Sequence, residues 1–294
     1  MSVYNKSGTI ISSAYNVGGS LLPQAYDIDG TPILSGIPLK VMQYNCGQWY
    51  VGDHDNVPAD KDEEYYALQN GMIQQNNPDI LLIEEYTAQF SKAGRTALSM
   101  LQSDYPYYHE QTNGTTTTVV QRAIFSKYPL SNYQTHIFTS HSNYYFDSCT
   151  ITVANIPITV VALHFHWNNR TYRTQEAAAL LEFAESNQYV IIGGDFNTVD
   201  CSDTSGADYI AEIKPFVDAE YNVANCGEFG FLGTYTGNSS APYTMSVLDN
   251  IITSSNIDID SVTVDETKLT DLIGEKVDHL PIIAELTINT GGTT

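Results

Sequence analysis

From about residue 40 onward, short apolar runs alternate with polar residues that stand where each run ends. Val190–Ile192 is such a run; Gly193 and Gly194 follow it, and then Asp195 and Asn197. β-Branched residues in a short apolar run predict a buried strand, and glycines let the chain turn at its end. Since residues i and i+2 of an extended chain point the same way, Asp195 and Asn197 are expected to face one site. Taken alone, these residues also fit an ordinary turn.

The same pattern of an apolar strand with a polar end recurs in five other stretches of the chain. They are residues 41–45, 78–85, 160–164, 247–252 and 277–281. Helices are predicted over residues 60–75, 87–103, 171–186 and 207–218. Further strands are predicted over residues 115–119, 151–153, 158–163, 248–253 and 281–288. Strands that alternate with helices are compatible with a layered fold of sheets and helices.

The first 36 residues differ from the rest of the chain. An eleven-residue spacing relates two sets of residues: Tyr4, Tyr15 and Tyr26, and Gly8, Gly19 and Gly30. The spacing predicts short strand-turn units, similar to segments of phage virion-associated proteins, that precede the main domain. A flexible leader with a chance periodicity is the alternative.

Composition bounds the class of protein. A chain of 294 residues with 42% hydrophobic residues can form one large domain or two ordinary ones. No apolar stretch is long enough for a membrane-spanning helix, and the first thirty residues show no secretory signal. Because 12 Lys and Arg face 34 Asp and Glu, for a formal net charge of −22, general polyanion binding is excluded. The cellular location stays open, with phage association and export both compatible.

Four cysteines are spread along the chain without a CxxC pair, which argues against a zinc cluster. Cys46 and Cys149 flank apolar segments and are expected to be buried thiols. Cys201 and Cys226 fall in polar stretches and can form a disulfide, but the sequence does not decide this.

The order and spacing of the six strand-end motifs resemble the endonuclease/exonuclease/phosphatase superfamily, to which deoxyribonuclease I belongs. The resemblance covers residues 37–289, and the string Val-Val-Ala-Leu-His at 160–164 is similar to the deoxyribonuclease segment that bears a catalytic histidine. It implies an α+β fold, a four-layer αββα sandwich of two mixed β-sheets flanked by helices. The expected organisation is an N-terminal appendage over residues 1–36, a catalytic domain over 37–289 and a disordered tail over 290–294.

The resemblance implies a divalent-cation site at the ends of the strands. Its ligands are expected to be Glu85 and Asn45, with Asp278 as a further candidate. Because adjacent strand residues face opposite ways, only one of Glu84 and Glu85 is expected to enter the site, and by register with the family it is Glu85. Every ligand offers oxygen, which favours Mg²⁺, with Mn²⁺ or Ca²⁺ as alternatives.

The resemblance also implies which residues act on the phosphate. Asp195 and Asn197 are expected to orient and deprotonate the attacking water. His164, held in one tautomer by Asp249, and His279 are expected to donate to the phosphate or to the leaving oxygen. Which histidine acts as the acid stays open.

The sequence departs from the family pattern at three positions. Glu84 stands where the family usually has Gln, Arg122 where Asn is frequent, and Val277 where Ser is common. Arg122 is a candidate for substrate-phosphate binding, together with Arg170 and Arg173 in the first turn of the helix predicted over 171–186. For Arg122 a surface position covering its strand is the alternative.

These residues predict a metal-dependent phosphodiesterase, with DNA as the favoured substrate and endonuclease as the favoured activity. The alternatives on the same fold are a sphingomyelin or phospholipid phosphodiesterase and a sugar- or inositol-phosphate phosphatase. A lipid enzyme needs an exposed apolar wedge, for which residues 143–146 and 165–167 are the candidates. A non-catalytic binding protein is disfavoured because every matched position carries a competent side chain. No protein partner can be inferred.

Overall fold

The computed structural model describes residues 36–47, 62–86, 97–110, 122–139, 144–198, 211–225, 227–235, 246–266 and 278–290. Within these residues twelve strands and four helices are formed. Residues 1–35 of the predicted N-terminal appendage, the strand predicted over 115–119, Cys201 and Cys226 lie outside the described residues; the last residue of the appendage, Gly36, begins the first strand.

One mixed sheet of six strands begins at the first described residue. Its members are β1 (Gly36–Asn45), β2 (Ile80–Glu84), β3 (Tyr107–Glu110), β4 (Arg122–Ser126), β11 (Ile257–Val264) and β12 (Ile282–Asn289). Their order across the sheet is β11-β12-β1-β2-β4-β3, with β1 parallel to β2 and antiparallel to β12. The two central strands, β1 and β2, therefore end in polar residues at the same edge.

The second mixed sheet also has six strands. Its members are β5 (Leu130–Ile137), β6 (Tyr145–Val153), β7 (Ile156–His164), β8 (Val190–Asp195), β9 (Asn222–Val223) and β10 (Asp249–Thr253). Their order is β5-β6-β7-β8-β10-β9, and β7 and β8 are its parallel pair. The carboxyl ends of β7 and β8 lie together, so His164 and Asp195 are neighbours.

The helices begin and end at residues with clear local causes. They are α1 (Asp62–Asn76), α2 (Ala97–Leu101), α3 (Arg170–Glu185) and α4 (Lys214–Asp218). Helix α1 stops because Asn77 adopts a left-handed φ of 47° and Pro78 follows it. Helix α3 begins at its N-cap Asn169, whose side chain accepts a hydrogen bond from the backbone N–H of Tyr172 at 3.2 Å.

Three buried apolar clusters show the layering of the chain. One lies between the sheets and includes Val41 and Leu82 from the first sheet and Val160 and Ile191 from the second. The other two lie outside: one joins the first sheet to α1 and α2, and the other joins the second sheet to α3 and α4. This is a helix–sheet–sheet–helix sandwich, and the predicted four-layer fold is confirmed.

Strands β1, β2, β7, β8, β10 and β12 were predicted from the sequence, β6 only over its last three residues, and the edge strands were not. Strands β3, β5, β9 and β11 stand at the four outer edges of the two sheets, and none was predicted. Strand β5 shows why, because its residues are half-buried or exposed throughout and carry no continuous apolar signal.

Two of the four predicted helices are present over most of their predicted length, and two are present only in part. The helices predicted over 60–75 and 171–186 correspond to α1 and α3. Of the helix predicted over 87–103, the described part is helical only over Ala97–Leu101. Of that over 207–218, the described part is helical only over Lys214–Asp218.

The described residues also show where two of the cysteines lie and how apolar the helices are. Cys46 and Cys149 are both buried, as predicted. No helix among the described residues combines the length and the hydropathy needed to cross a membrane.

Candidate active site

The polar strand ends of both sheets meet at one edge of the sandwich. In the second sheet Asp195 is paired with His164 on one side and with Asp249 on the other. In the first sheet Asn45 is paired with Glu84. The predicted motifs therefore converge, because parallel strands of one sheet end at a common edge and the two sheets are packed face to face.

Asp195 is the centre of this cluster and is 1% exposed. Its Oδ2 accepts a hydrogen bond from Asn45 Nδ2 at 3.1 Å and lies 3.6 Å from Nε2 of both His164 and His279. Its Oδ1 accepts the backbone N–H of Asn197 at 2.8 Å. Burial raises the pKa of Asp195 to about 7, even though the neighbouring His279 lowers it.

Asn45 links Asp195 to the predicted metal ligand Glu85. Its Nδ2 also donates to Glu85 Oε1 at 3.2 Å. Glu85 stands just past the end of β2 with a left-handed φ of 49°, which is an unusual backbone conformation for a residue with a side chain. Burial raises the pKa of Glu85, and the adjacent Asp278 acts in the same direction.

The expectation that only one of the two glutamates enters the polar cluster is wrong. Glu84 is fully buried and its Oε2 accepts a hydrogen bond from Gln43 Nε2 at 2.7 Å. Strand alternation does not separate the two side chains, because the strand ends at Glu84 and the positive φ of Glu85 redirects the chain. Both carboxyl groups therefore join the cluster, Glu85 through Asn45 and Glu84 through Gln43.

The prediction that Asp249 orients His164 is also wrong. Asp249 Oδ2 is 2.7 Å from Nδ1 of His279, and its Oδ1 accepts from Gln43 Nε2 at 2.9 Å. Among the described residues, Nδ1 of His164 has no hydrogen-bond partner. Asp249 and His279 are thirty residues apart in sequence, so local spacing carried no information on this pairing.

The surroundings of the two buried histidines shift their pKa values in opposite directions. Burial lowers the pKa of His164 to about 3, and the charges of Arg122 and His279 lower it further. Burial also lowers the pKa of His279, but the carboxylates of Asp249 and Asp195 outweigh this, so that its pKa lies well above the ordinary value. These environments favour the neutral form of His164 and the protonated form of His279.

Asn197 and Asp278 lie at the margins of the cluster. The side-chain amide of Asn197 donates to the Phe165 carbonyl at 2.9 Å, and its φ is 50°. Asp278 is half-buried, and its charge raises the pKa of both Glu85 and His279. Asp278 is therefore close enough to act on the site electrostatically.

The residues present fit a divalent cation. Glu85, Asn45 and Asp195 bring two carboxylates and an amide together in a buried place, and burial raises the pKa of both carboxylates. A cation relieves the cost of ionising two buried carboxylates. Ligand atoms of Asp195, Asp249 and His279 also lie within 4.8 Å of one another. Glu85 offers the carboxylate that would hold the ion beside Asp195, whereas Asn45 turns its NH₂ group toward both carboxylates and its Oδ1 accepts the backbone N–H of Gly47 at 3.1 Å.

The three predicted phosphate-binding arginines have different environments. Arg173 is buried, with Nε donating to Glu212 at 2.9 Å and Nη1 to the His166 carbonyl at 3.2 Å. These bonds occupy it within the protein, which corrects its predicted role. Arg170 is exposed in the first turn of α3.

Arg122 is not on the surface. It is 1% exposed, its Nε donates to Asp147 at 2.9 Å, and its guanidinium lies 3.9 Å above the Tyr145 ring. Neither Nη1 nor Nη2 has a hydrogen-bond partner among the described residues. This buried ion pair shows that the alternative of a surface position for Arg122 is wrong, and its phosphate-binding role stays a prediction.

Three residues of the site were missed by the sequence analysis: Gln43, Thr234 and Tyr235. Thr234 is fully buried, and its Oγ1 accepts the backbone N–H groups of Leu248 and Asp249 at 3.2 and 3.1 Å. The Tyr235 ring lies 5.0 Å from the His279 ring. Thr234 and Tyr235 fall in an irregular segment without apolar periodicity, and Gln43 lies inside a strand where only its partners reveal a role.

Comparison with known proteins agrees with the fold. The two packed mixed sheets with helices outside are the deoxyribonuclease I-like sandwich. The model of the Endonuclease/Exonuclease/phosphatase family matches residues 15–271. The chain belongs to this family, whose members are phosphoester hydrolases, and the predicted resemblance is confirmed. No curated protein sequence matches the chain.

Solved structures share the fold at low sequence identity. An endonuclease/exonuclease/phosphatase from Bacteroides vulgatus has a TM-score of 0.64 at 15% identity, covering 86% of this chain and 99% of that one. D. rerio TDP2 complexed with single-strand DNA product has a TM-score of 0.60 at 16% identity, covering 85% and 98%. A mannosyl-6-phosphatase from Bacteroides thetaiotaomicron has a TM-score of 0.58 at 17% identity, covering 84% and 99%.

Proposed function

We propose that this chain is a divalent-cation-dependent phosphodiesterase that hydrolyses DNA by in-line attack of water. The single observation that carries the proposal is the position of Asp195, whose Oδ2 is within 3.6 Å of two imidazoles and 3.1 Å of Asn45. A buried carboxylate, two histidines and an amide in this arrangement supply a base, an acid and a ligand set for one phosphate.

Asp195 is the proposed general base. Its Oδ1 is held by the Asn197 backbone, which leaves Oδ2 facing the histidines. Burial raises its pKa to about 7, which suits proton abstraction from water near neutral pH. The cation, held by Glu85 beside Asp195, would neutralise charge that develops on the phosphate. Asn45, through its Oδ1, and Asp278 are further ligand candidates, and we expect Mg²⁺, with Mn²⁺ or Ca²⁺ as alternatives.

His279 is the proposed general acid and His164 a neutral partner. The Asp249 carboxylate accepts from Nδ1 of His279, which leaves the Nε2 atom of His279 on the side of Asp195, 3.6 Å from its Oδ2. A proton held by the Asp249 and Asp195 charges can pass to the leaving oxygen as negative charge develops there. His164, with its pKa lowered to about 3, contributes a neutral imidazole that orients water or phosphate.

DNA is favoured over lipid as the substrate. Of the predicted apolar wedge at 143–146, Tyr145 and Phe146 are 7% and 4% exposed, so they are not available to enter a bilayer. Trp167 is the exposed aromatic of the second candidate wedge, at 63%, and Arg170, three residues further along the chain, is exposed as well. An exposed aromatic ring and an exposed arginine in one segment suit a nucleotide, which offers a base to stack on and a phosphate to bind.

A sugar-phosphate phosphatase is the second candidate, since a mannosyl-6-phosphatase shares the fold with a TM-score of 0.58. The proposal is tested by three substrates in Mg²⁺ at low salt: supercoiled plasmid, mannose 6-phosphate and sphingomyelin liposomes. We expect plasmid nicking that is absent from the Asp195→Asn variant, which controls for a contaminating nuclease. Hydrolysis of mannose 6-phosphate or liposomes without nicking would overturn the DNA assignment and keep the phosphoesterase.

A further inference from the structure

Gln43 connects the two sheets beneath the catalytic edge. It lies on β1 and is fully buried. Its Nε2 donates to Glu84 Oε2 at 2.7 Å and to Asp249 Oδ1 at 2.9 Å. Both hydrogens of the amide group are therefore used, one within the first sheet and one across to the second.

The chemistry of the neighbours sets the orientation of this amide. The Asp249 oxygen accepts a hydrogen bond, so the NH₂ group rather than the oxygen of Gln43 faces it. Burial raises the pKa of Glu84, and its Oε2 can accept the second hydrogen of Gln43 whether or not Oε1 carries a proton. An apolar side chain at this position would leave a buried carboxylate oxygen of Asp249 without its donor, which is costly in the protein interior. Gln43 is thus matched to these two partners.

The Asp249 carboxylate is held at both oxygens. Oδ1 accepts from Gln43 at 2.9 Å, and Oδ2 accepts from His279 Nδ1. A carboxylate bonded at only one oxygen can turn about its terminal torsion, because that torsion is soft. Fixing both oxygens therefore fixes the plane of the group, and with it the orientation of the His279 ring.

We propose that Gln43 is a positioning residue that holds the Asp249 carboxylate so that His279 presents Nε2 to the reacting phosphate. The proposal rests on the function proposed above for His279. Glu84 accepts the second hydrogen of the Gln43 side-chain amide. In the pairing of β2 with β4, Glu84 lies directly opposite Arg122. The carboxyl group at 84 and the amide at 43 thus act together, from neighbouring strands.

The helix side of the first sheet provides a matched control. Gln69 on α1 is also a buried glutamine, 2% exposed, and its Nε2 donates to Tyr44 Oη at 3.0 Å. Tyr44 belongs to the apolar cluster on the helix side of the first sheet, on the face of β1 opposite to Gln43. Gln69→Met therefore removes a buried amide of the same size without touching the catalytic edge.

The test compares Gln43→Met with Gln69→Met by kinetics on a small phosphodiester. We expect Gln43→Met to lower kcat by about 10- to 100-fold, the usual effect of losing an outer partner of a site residue. KM should stay within about twofold, because substrate binding is not removed. Gln69→Met should lower the melting temperature comparably while leaving kcat unchanged. A folded Gln43→Met with wild-type kcat, or an equal loss of kcat in Gln69→Met, would overturn the proposal.

A second measurement does not depend on turnover. The Nδ1 proton of His279 in its short bond to Asp249 is expected to give a far-downfield NMR signal, identified by its loss in His279→Ala. It should shift or vanish in Gln43→Met and persist in Gln69→Met; an unchanged signal would refute the positioning role. If Gln43→Met does not fold, Gln43→Asn is compared with Gln69→Asn, because the shorter amide cannot span both carboxylates. A wild type inactive on all substrates would refute the proposed function, while this signal would still decide the role of Gln43.

Discussion

Asn45, at the end of the first strand of one sheet, donates a hydrogen bond across the sandwich to Asp195, at the end of the central strand of the other, with 3.1 Å between Nδ2 and Oδ2. The same nitrogen reaches Glu85 Oε1 at 3.2 Å. The site is therefore assembled from both sheets, and the acids that favour a cation are brought together only when the sheets pack. A change that loosens the packing of the sheets should disturb the site as well.

Glu85→Gln should abolish phosphoester hydrolysis without unfolding the protein. The carboxylate charge beside Asn45 and Asp195 is needed to hold the cation, which contributes several kcal/mol of transition-state stabilisation in such sites. Turnover is measured with added Mg²⁺ and in excess EDTA, alongside a thermal melt. Glu182→Gln, at an exposed position of α3, is the control and should stay active. Full turnover of the wild type in EDTA would contradict the metal mechanism.

His164→Ala and His279→Ala should each lower kcat by at least ~10²-fold, the scale for losing a positioned acid, as at His279, or a positioned hydrogen-bonding group, as at His164. Both imidazoles have Nε2 at 3.6 Å from Asp195 Oδ2. His166→Ala should cost far less activity and act on stability instead, since His166 is buried, stacks on Tyr144 and accepts the Asn168 N–H. A larger kinetic loss in His166→Ala than in His164→Ala would show that the sequence register of this segment is wrong by two.

Glu176→Gln should stabilise the protein increasingly as the pH rises. Glu176 is fully buried, its Oε2 accepts the backbone N–H of His166 at 3.0 Å, and burial raises its pKa to about 7. Its usual pKa in an unfolded chain is about 4.3, so the folded state binds the proton more tightly. The resulting stability is present below that unfolded pKa and is lost as the pH rises through about 7.

The neutral amide of the Glu176→Gln variant lacks this dependence and can still accept the His166 N–H. The melting temperature of the variant minus that of the wild type should therefore increase between about pH 5 and about pH 8. The exposed control Glu182→Gln should show no such trend. Parallel melting curves for wild type and Glu176→Gln across this range would contradict the prediction.

Gly194→Ala should destabilise the fold far more than Gly193→Ala. A Cβ at Gly194 would lie 2.2 Å from the Leu163 carbonyl oxygen on the adjacent strand, where the backbone cannot move aside. A Cβ at Gly193 would instead meet the end of the Leu82 side chain at 2.5 Å, which can adopt another rotamer. Overpacking against backbone is expected to cost about 3 kcal/mol or more in the free energy of unfolding. Denaturant unfolding of both variants checks this; equal losses would contradict it.

The sequence by itself determined the family, most of the buried strands and their polar ends. The central strands read as near-continuous apolar runs because both of their faces are covered, which is a strong local signal. A residue at the end of such a run, like Asn45, His164 or Asp195, is placed by the strand alone. Local sequence patterns were therefore sufficient to predict that most residues of the candidate site lie at one edge of the sheets.

Only the tertiary structure decided how these residues are paired. Asp249 is bonded to His279, thirty residues away, and to Gln43, 206 residues away, so no local pattern distinguishes His164 from His279 as its partner. The entry of Glu84 into the cluster depends on a backbone turn at Glu85, and the edge strands depend on neighbours rather than on their own apolar content. Arg122 and Arg173 are buried because acids from distant segments, Asp147 and Glu212, neutralise them. Contacts between residues far apart in the chain set these features, and they form only when the two sheets and their helices pack together.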